Sequence, residues 1–293
     1  MNMSLPAAQR GLSLIELMIA LAIGSFLVVG ITQIFIDNRR SYSFQQSEAG
    51  NIESARFTEI VLNNYLSKAG YRRSSDQDLE FAFPASPAGT DCSAFTAGNP
   101  ITTTLDAQGI CIRYQPVVSG EPDCEGNAST AFKSPLAPFP EITKNNLIVL
   151  AIKYFPAGAT VPSEATLLDY GSLRCKSINS TASSGYTELL DGIADFRLEF
   201  GVGTNDLFGK QLRNDANRFV KAADWNAAIG PIRAVRYSVL LSSTENKRDG
   251  DSKIYSDWYA SADAAAQTRL TAGEKGRTYQ LASSTQNLRN LMP

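Results

Sequence analysis

The run of 25 residues from Leu12 to Ile36, LSLIELMIALAIGSFLVVGITQIFI, carries a single charge, Glu16. As an α-helix it is about 37 Å long, enough to cross a hydrocarbon core of about 30 Å. Fifteen of its residues are Leu, Ile, Phe or Val. At roughly −0.3 to −0.6 kcal/mol each, these outweigh the cost of about 3 kcal/mol for one carboxylate. The run is therefore expected to lie in a membrane. A cleaved secretory signal is the alternative, with Ala20-Leu21-Ala22 as its A-x-A match. A cut there leaves a short apolar segment interrupted by Glu16 and a strongly apolar new N-terminus, which argues against it. Arg10 lies before the run, and Arg39 and Arg40, partly offset by Asp37, lie after it. That balance does not fix orientation.

The chemistry open to the rest of the chain is narrowed by the absence of histidine. Ser-His and Cys-His nucleophile pairs, imidazole bases and zinc sites with His ligands all need a residue the sequence lacks. The net charge is −2 and the pI about 5.4, so no global attraction draws the chain to nucleic acid or to an anionic membrane surface. Direct specific binding of nucleic acid is not expected.

Helical character continues past the apolar run. From Asp37 to Ala69 there is no proline, and Ile52, Phe57, Ile60, Val61, Tyr65 and Leu66 recur at helical intervals. Gly70, after Lys68 and Ala69, suits a helix stop. The expectation is one helix over residues 12–69, membrane-spanning in 12–36 and amphipathic in 37–69, the second half laying its apolar stripe on a globular domain of residues 70–293. Within that domain the texture is strand and loop. Strands are predicted at 79–83, 110–115, 146–155, 165–169, 172–178, 193–202, 232–243 and 277–288. In 232–243, Val235, Tyr237, Val239 and Leu241 fall on one face, with Arg236, Ser238 and Ser242 on the other. Helices and strands do not alternate, so the fold class is α+β, one long helix on a mainly antiparallel sheet.

Cys92, Cys111, Cys124 and Cys175 all follow the apolar run and contain no C-x-x-C pair. This usage fits disulfides in an oxidising compartment better than a metal site. Four cysteines allow three pairings. The sequential one, Cys92–Cys111 and Cys124–Cys175, closes loops of about 20 and about 50 residues, which the chain-entropy model values at roughly 3 and 4 kcal/mol. Other constellations have plainer readings. Gly201, Gly203, Gly209 and Lys210 lack phosphate-loop spacing. Asp249 and Asp251, near Glu245, Asn246 and Asp257, could offer oxygens to Ca²⁺ but also read as an exposed D-G turn. Arg72-Arg73 and Lys247-Arg248 read as solvated surface. No metal or cofactor is expected, and nothing marks an enzyme.

The segment Arg10-Gly11-Leu12-Ser13-Leu14-Ile15-Glu16-Leu17 resembles the class III signal of type IV pilins and type II secretion pseudopilins. The resemblance implies cleavage of a leader, residues 1–11, between Gly11 and Leu12, and N-methylation of Leu12, which stands where these families usually have Phe. It implies a cytoplasmic leader, a periplasmic domain and the type IV pilin fold. It also implies a role for Glu16, the fifth residue of the mature chain. A carboxylate in lipid is costly unless paired, and cleavage creates a cationic amine on Leu12. The Glu16 of one subunit can then pair with the amine of another and set the axial register of a filament.

Later segments resemble the PilW-like minor pilins: Ile110 to Gln115, Asp123 to Asn127, Ser172 to Cys175, Glu188 to Ile193, and the closing Leu288-Arg289-Asn290. The implied function is that of a non-enzymatic minor pilin. Single-pass in the inner membrane before assembly, it would join other minor pilins and the major pilin through its N-terminal helix to initiate or cap a type IV pilus, ending at the pilus tip on the cell surface. Motility, adhesion or DNA uptake are the system outputs. Implied partners are a prepilin peptidase and an inner-membrane assembly platform. Two alternatives are a J-type minor pseudopilin of type II secretion and, of another class, a membrane-tethered periplasmic enzyme.

Overall fold

The computed structural model describes residues 13–74, 77–132, 146–162, 167–183, 185–203, 218–246, 252–271 and 276–291. The first helix, α1, runs from Leu14 to Lys68. The chain divides into two units, Met1–Gln46 and Ser47–Pro293.

In the first unit the described residues form helix. Its large apolar side chains face outward, from Leu14 at 77% exposed and Phe26 at 82% to Ile36 at 42%. Inside the helix, Ser25 and Thr32 return their hydroxyls to Ala22 O and Val28 O, so these polar groups are satisfied in place.

The described residues of the second unit form an antiparallel sheet of eight strands: β1 (Ile101–Thr103), β2 (Gly109–Tyr114), β3 (Ile148–Phe155), β4 (Gly171–Ser177), β5 (Thr187–Val202), β6 (Arg218–Lys221), β7 (Ile232–Asn246) and β8 (Arg277–Asn287). The order is β1-β2-β3-β4-β5-β7-β8, and β6 pairs with β5. Short helices α2 (Leu79–Ala82), α3 (Lys253–Ala260) and α4 (Ala264–Thr271) and a closing 3₁₀ turn, Arg289–Leu291, complete it. Gly171 in β4 tolerates no side chain, because a Cβ there would sit 2.2 Å from Ile193 O.

The core lies between one sheet face and the part of α1 that belongs to this unit. Asn51, Ala55, Thr58, Leu62 and Leu66 are its buried helix residues. They meet Ile112, Tyr114, Leu150, Ile152, Leu173, Val235, Tyr237 and Val239. This corrects the stripe expected from sequence: Leu66 belongs to it, whereas Ile52, Phe57 and Ile60 are exposed. Small residues at 55 and 58 bring the helix close, and Asn51 is satisfied by donating to Thr278 O at 2.9 Å and Thr278 Oγ1 at 3.1 Å. The helix ends where Gly70 takes φ +74°. Asn290, in the closing turn, donates to Ser67 O at 2.8 Å and Ala69 O at 3.0 Å, and so caps carbonyls the helix leaves open.

Two further differences appear. Residues 79–83, expected as a strand, contain α2; its Ala82 and the following Phe83 pack with Leu147. The strand expected at 165–169 falls partly outside the described residues, and Leu167 forms only an isolated bridge to Thr160. The opposite sheet face carries α3 and α4 over Leu240, with Tyr255, Trp258, Leu270 and Tyr279. Buried Asp195 ties them down, accepting from Trp258 Nε1 at 2.9 Å and Arg269 at 3.1 Å. Arg197 stacks on Trp258 at 3.7 Å. Asp263 caps α4 by accepting from the Ala266 N–H at 2.8 Å.

Disulfides join Cys92 to Cys111 and Cys124 to Cys175, with Cα separations of 5.9 and 6.2 Å. Beside the first lies Asp91, which accepts from Lys176 at 3.0 Å, Tyr186 OH at 2.9 Å and Thr90 Oγ1 at 2.9 Å. Burial pushes the Asp91 carboxyl up, but these hydrogen bonds and the Lys176 charge outweigh it and hold the group below its ordinary range. A depressed folded value means stabilisation that is full above about pH 4 and is lost as pH falls through the folded value. The melting temperature is therefore expected to fall as pH drops below about 4. Asp91→Asn should show a shallower acid dependence in the same thermal melts; equal slopes would contradict this.

Candidate functional site

The charge of the apolar run resides in Glu16, and the site is built outward from it. Ser13 and Glu16 occupy the N-cap and third helical positions, the S-x-x-E spacing of a capping box. The Ser13 backbone N–H donates to Glu16 Oε2 at 3.0 Å. The Leu17 N–H closes the first turn on Ser13 O at 3.2 Å. The carboxylate is thereby held at the positive end of the helix, where backbone N–H groups lack intrahelical partners. Reading Glu16 only as a charge in lipid missed this cap, whose sequence signal is Ser13 three residues earlier.

Beyond Glu16 the surface of the first unit is a sleeve of exposed Leu, Ile, Val and Phe. A window of 18 residues in α1 has a mean hydropathy of 2.5 and none of it is buried. Near the end of the apolar run the pattern turns polar: Gln33 donates to Asp37 Oδ1 at 3.2 Å, and Arg39 lies over the Phe35 ring at 5.9 Å. Such a surface cannot stay in water and needs lipid or other apolar helices around it.

In the second unit, the face of α1 turned away from the sheet also keeps apolar residues. Ile52, Phe57 and Ile60 are 39%, 48% and 66% exposed. Phe57 and Ile60 are neighbours at i, i+3, with the charged residues Arg56 and Glu59 each directly preceding one of them in sequence.

Gly11, Leu12, Asp249 and Asp251 lie outside the described residues, as do Lys247, Arg248, Gly209 and Lys210. Among the described residues no group of three or more Asp, Glu or Cys is placed to hold a metal ion. Arg73 is not the freely solvated side chain the sequence suggested: its guanidinium lies over Phe132 at 3.7 Å, and its backbone N–H donates to Gln115 Oε1 at 2.9 Å. Arg72 donates to Gln77 O.

Comparison with known proteins places these features. Residues 6–32 match the model of the prokaryotic N-terminal methylation motif. Residues 160–290 match the model of the type IV pilus-assembly protein W family. No curated protein matches the chain. Among solved structures, a type IV-like pilin from Thermus thermophilus aligns at 13% identity with a TM-score of 0.40, covering 83% of this chain and 97% of its own.

Proposed function

Because the chain is a PilW-like type IV pilin, we propose that it works as a minor pilin that joins other minor pilins to initiate a type IV pilus or to cap its tip. Its role is assembly rather than catalysis. The observation that carries the reading is the pairing of a methylation-motif segment with a fully exposed apolar helix in one chain.

The steps combine the physics of that helix with what the resemblance to type IV pilins implies. In the membrane, lipid covers the apolar sleeve and the domain stands in the periplasm. A prepilin peptidase removes residues 1–11 on the cytoplasmic side and leaves an amine on Leu12. In the single chain Glu16 caps its own helix through the Ser13 N–H. On joining a filament, the carboxylate pairs with the amine of a neighbouring subunit and fixes the axial register. Cohesion comes from packing residues 12–36 against other pilin helices, guided by the inner-membrane assembly platform. The domain then remains exposed at the surface of the growing tip.

The Gly11→Ala variant tests the first step. In cells with a prepilin peptidase, the parent chain should lose residues 1–11 while the variant stays full length in the inner membrane. Surface pili should fall at least tenfold when the variant is the sole copy. Normal piliation by an uncut variant would contradict the proposal.

A further inference from the structure

The eight-stranded sheet has two ends, and they are treated differently. At one end β1 is three residues long and covered: the Ser93 N–H donates to Thr103 O at 3.0 Å, and Thr102 Oγ1 donates to Ala94 O at 3.2 Å. At the other end β8 pairs, among the described residues, only with β7, in unbroken register from Tyr279 to Asn287.

The register reveals which backbone groups β8 leaves open. The Leu288 N–H donates to Arg233 O at 2.9 Å. Hydrogen-bonded and non-hydrogen-bonded pairs alternate in an antiparallel ladder. Gln286, Ser284, Ala282 and Gln280 therefore bond to β7, while Leu281, Ser283, Thr285 and Asn287 turn their N–H and C=O groups outward. Over these four residues, about 20 Å of strand, the hydrogen bond to an outward backbone group among the described residues is from Gln280 Nε2 to Leu281 O at 3.5 Å. Their side chains are exposed as well.

Open edges of this length are ordinarily blunted by charge, proline, a bulge or a covering loop. From Thr278 to Asn287 there is no charged residue, no proline and no glycine, and the ladder shows no bulge there. We infer that the outer edge of β8 is a strand-acceptor site, taking an extended, uncharged segment of a different pilin subunit as a ninth strand. The inference rests on the assembly reading above and names where one contact of that assembly forms.

The chemistry of the edge selects this occupant. With no charge from Thr278 to Asn287, a segment rich in Asp, Glu, Lys or Arg gains no ion pair along that stretch, whereas Leu281, Ser283 and Thr285 match cross-strand apolar and hydroxyl neighbours. A second copy of this chain would bring β8 against β8 about a twofold axis. That arrangement is closed, leaving neither edge for one-way growth of a filament. Addition of a strand supplies main-chain hydrogen bonds for affinity and side-chain pockets for selectivity.

The test uses the full chain in cells that build type IV pili, with a photoreactive residue at Thr285. Mass spectrometry is expected to identify a different pilin subunit as the crosslinked partner, and the same photoreactive residue at exposed Thr187 should not capture it. Ser283→Pro removes one outward N–H and no bond to β7, and should lower the adduct yield at least tenfold. Leu281→Lys combined with Ser283→Lys should do the same by adding edge charge, and carries the test if non-reducing gels show that the proline variant has lost its disulfides. An adduct only to a second copy would overturn the occupant. An adduct undiminished by either variant, or none from a chain that is cleaved and recovered in pili, would overturn the edge site alone. A chain neither cleaved nor recovered in pili would overturn the assembly reading with it.

Discussion

Glu16→Ala is expected to be cleaved normally after Gly11 yet to fall at least tenfold in recovery from sheared pili. Residue 16 lies in a helix surface with no buried apolar neighbours, so the substitution leaves no cavity. Removing the carboxylate even makes membrane insertion more favourable. What is lost is the acceptor for the Ser13 N–H and, in the proposed filament, the partner of a neighbouring amine. Glu16→Gln separates the two roles. The glutamine keeps an oxygen that can accept from Ser13, and so preserves the cap, but it removes the charge. If pairing sets the register, Gln should be nearly as defective as Ala; recovery of the Gln variant at parental levels would assign Glu16 to capping alone.

The second large effect is expected at Arg113, deep in the globular unit. The residue is 2% exposed, and among the described residues its side chain has no carboxylate partner. Instead its guanidinium donates to Asn99 O at 3.1 and 2.8 Å, Pro84 O at 2.5 Å, Phe83 O at 3.0 Å and Thr96 O at 3.1 Å. It also lies over the Phe95 ring at 4.5 Å. One residue of β2 thus gathers the chain between α2 and β1, which holds Cys92. Burial pulls the Arg113 pKa down to about 10, so the group remains charged at neutral pH and depends on these carbonyls. Arg113→Met fills much of the volume but takes from the carbonyls of Asn99 and Pro84 the donor they have among the described residues, while those of Phe83 and Thr96 keep only the backbone N–H groups of Gly98 and Asn99. The expected loss is about 3–5 kcal/mol, read as a lowered denaturation midpoint. A shift below about 1 kcal/mol, within the range of ordinary surface changes, would contradict this account of the loop.

The elements legible in the sequence are those whose signal is local. The apolar run of residues 12–36 is additive along the chain, and strands such as β7 alternate with period two. The helix face was misjudged because side-chain apolarity was taken as the mark of burial. Asn51, Ala55 and Thr58 are buried for closeness and for one hydrogen bond to Thr278, a partner 227 positions away. Phe57 and Ile60 are apolar yet outward-facing, in keeping with a chain that has further surfaces to cover during assembly. Helices α3 and α4 escaped because what holds them is long-range: Asp195 reaches Trp258 and Arg269. The cap on α1 from Asn290 is likewise set by the completed fold. The Leu288-Arg289-Asn290 ending was visible as a resemblance, but its physical task was not.

At the proposed assembly site, Glu16 was legible because a lone charge in an apolar run is conspicuous, and a cleavage position at Gly11 came from resemblance. The open edge of β8 was less so. Its strand could be read from sequence, but its place at the end of the sheet depends on pairings made across the whole domain.

The central claim is that this chain is cut and then built into a pilus through its apolar helix. The most direct measurement is the N-terminal mass of the chain recovered from pili sheared off cells that express it as the sole copy. The account predicts a chain beginning at N-methylated Leu12, recovered with other pilins and absent from pili when Glu16 is Ala. Recovery of a chain that still carries residues 1–11, or its absence from pili while it remains cleaved in the inner membrane, would contradict it.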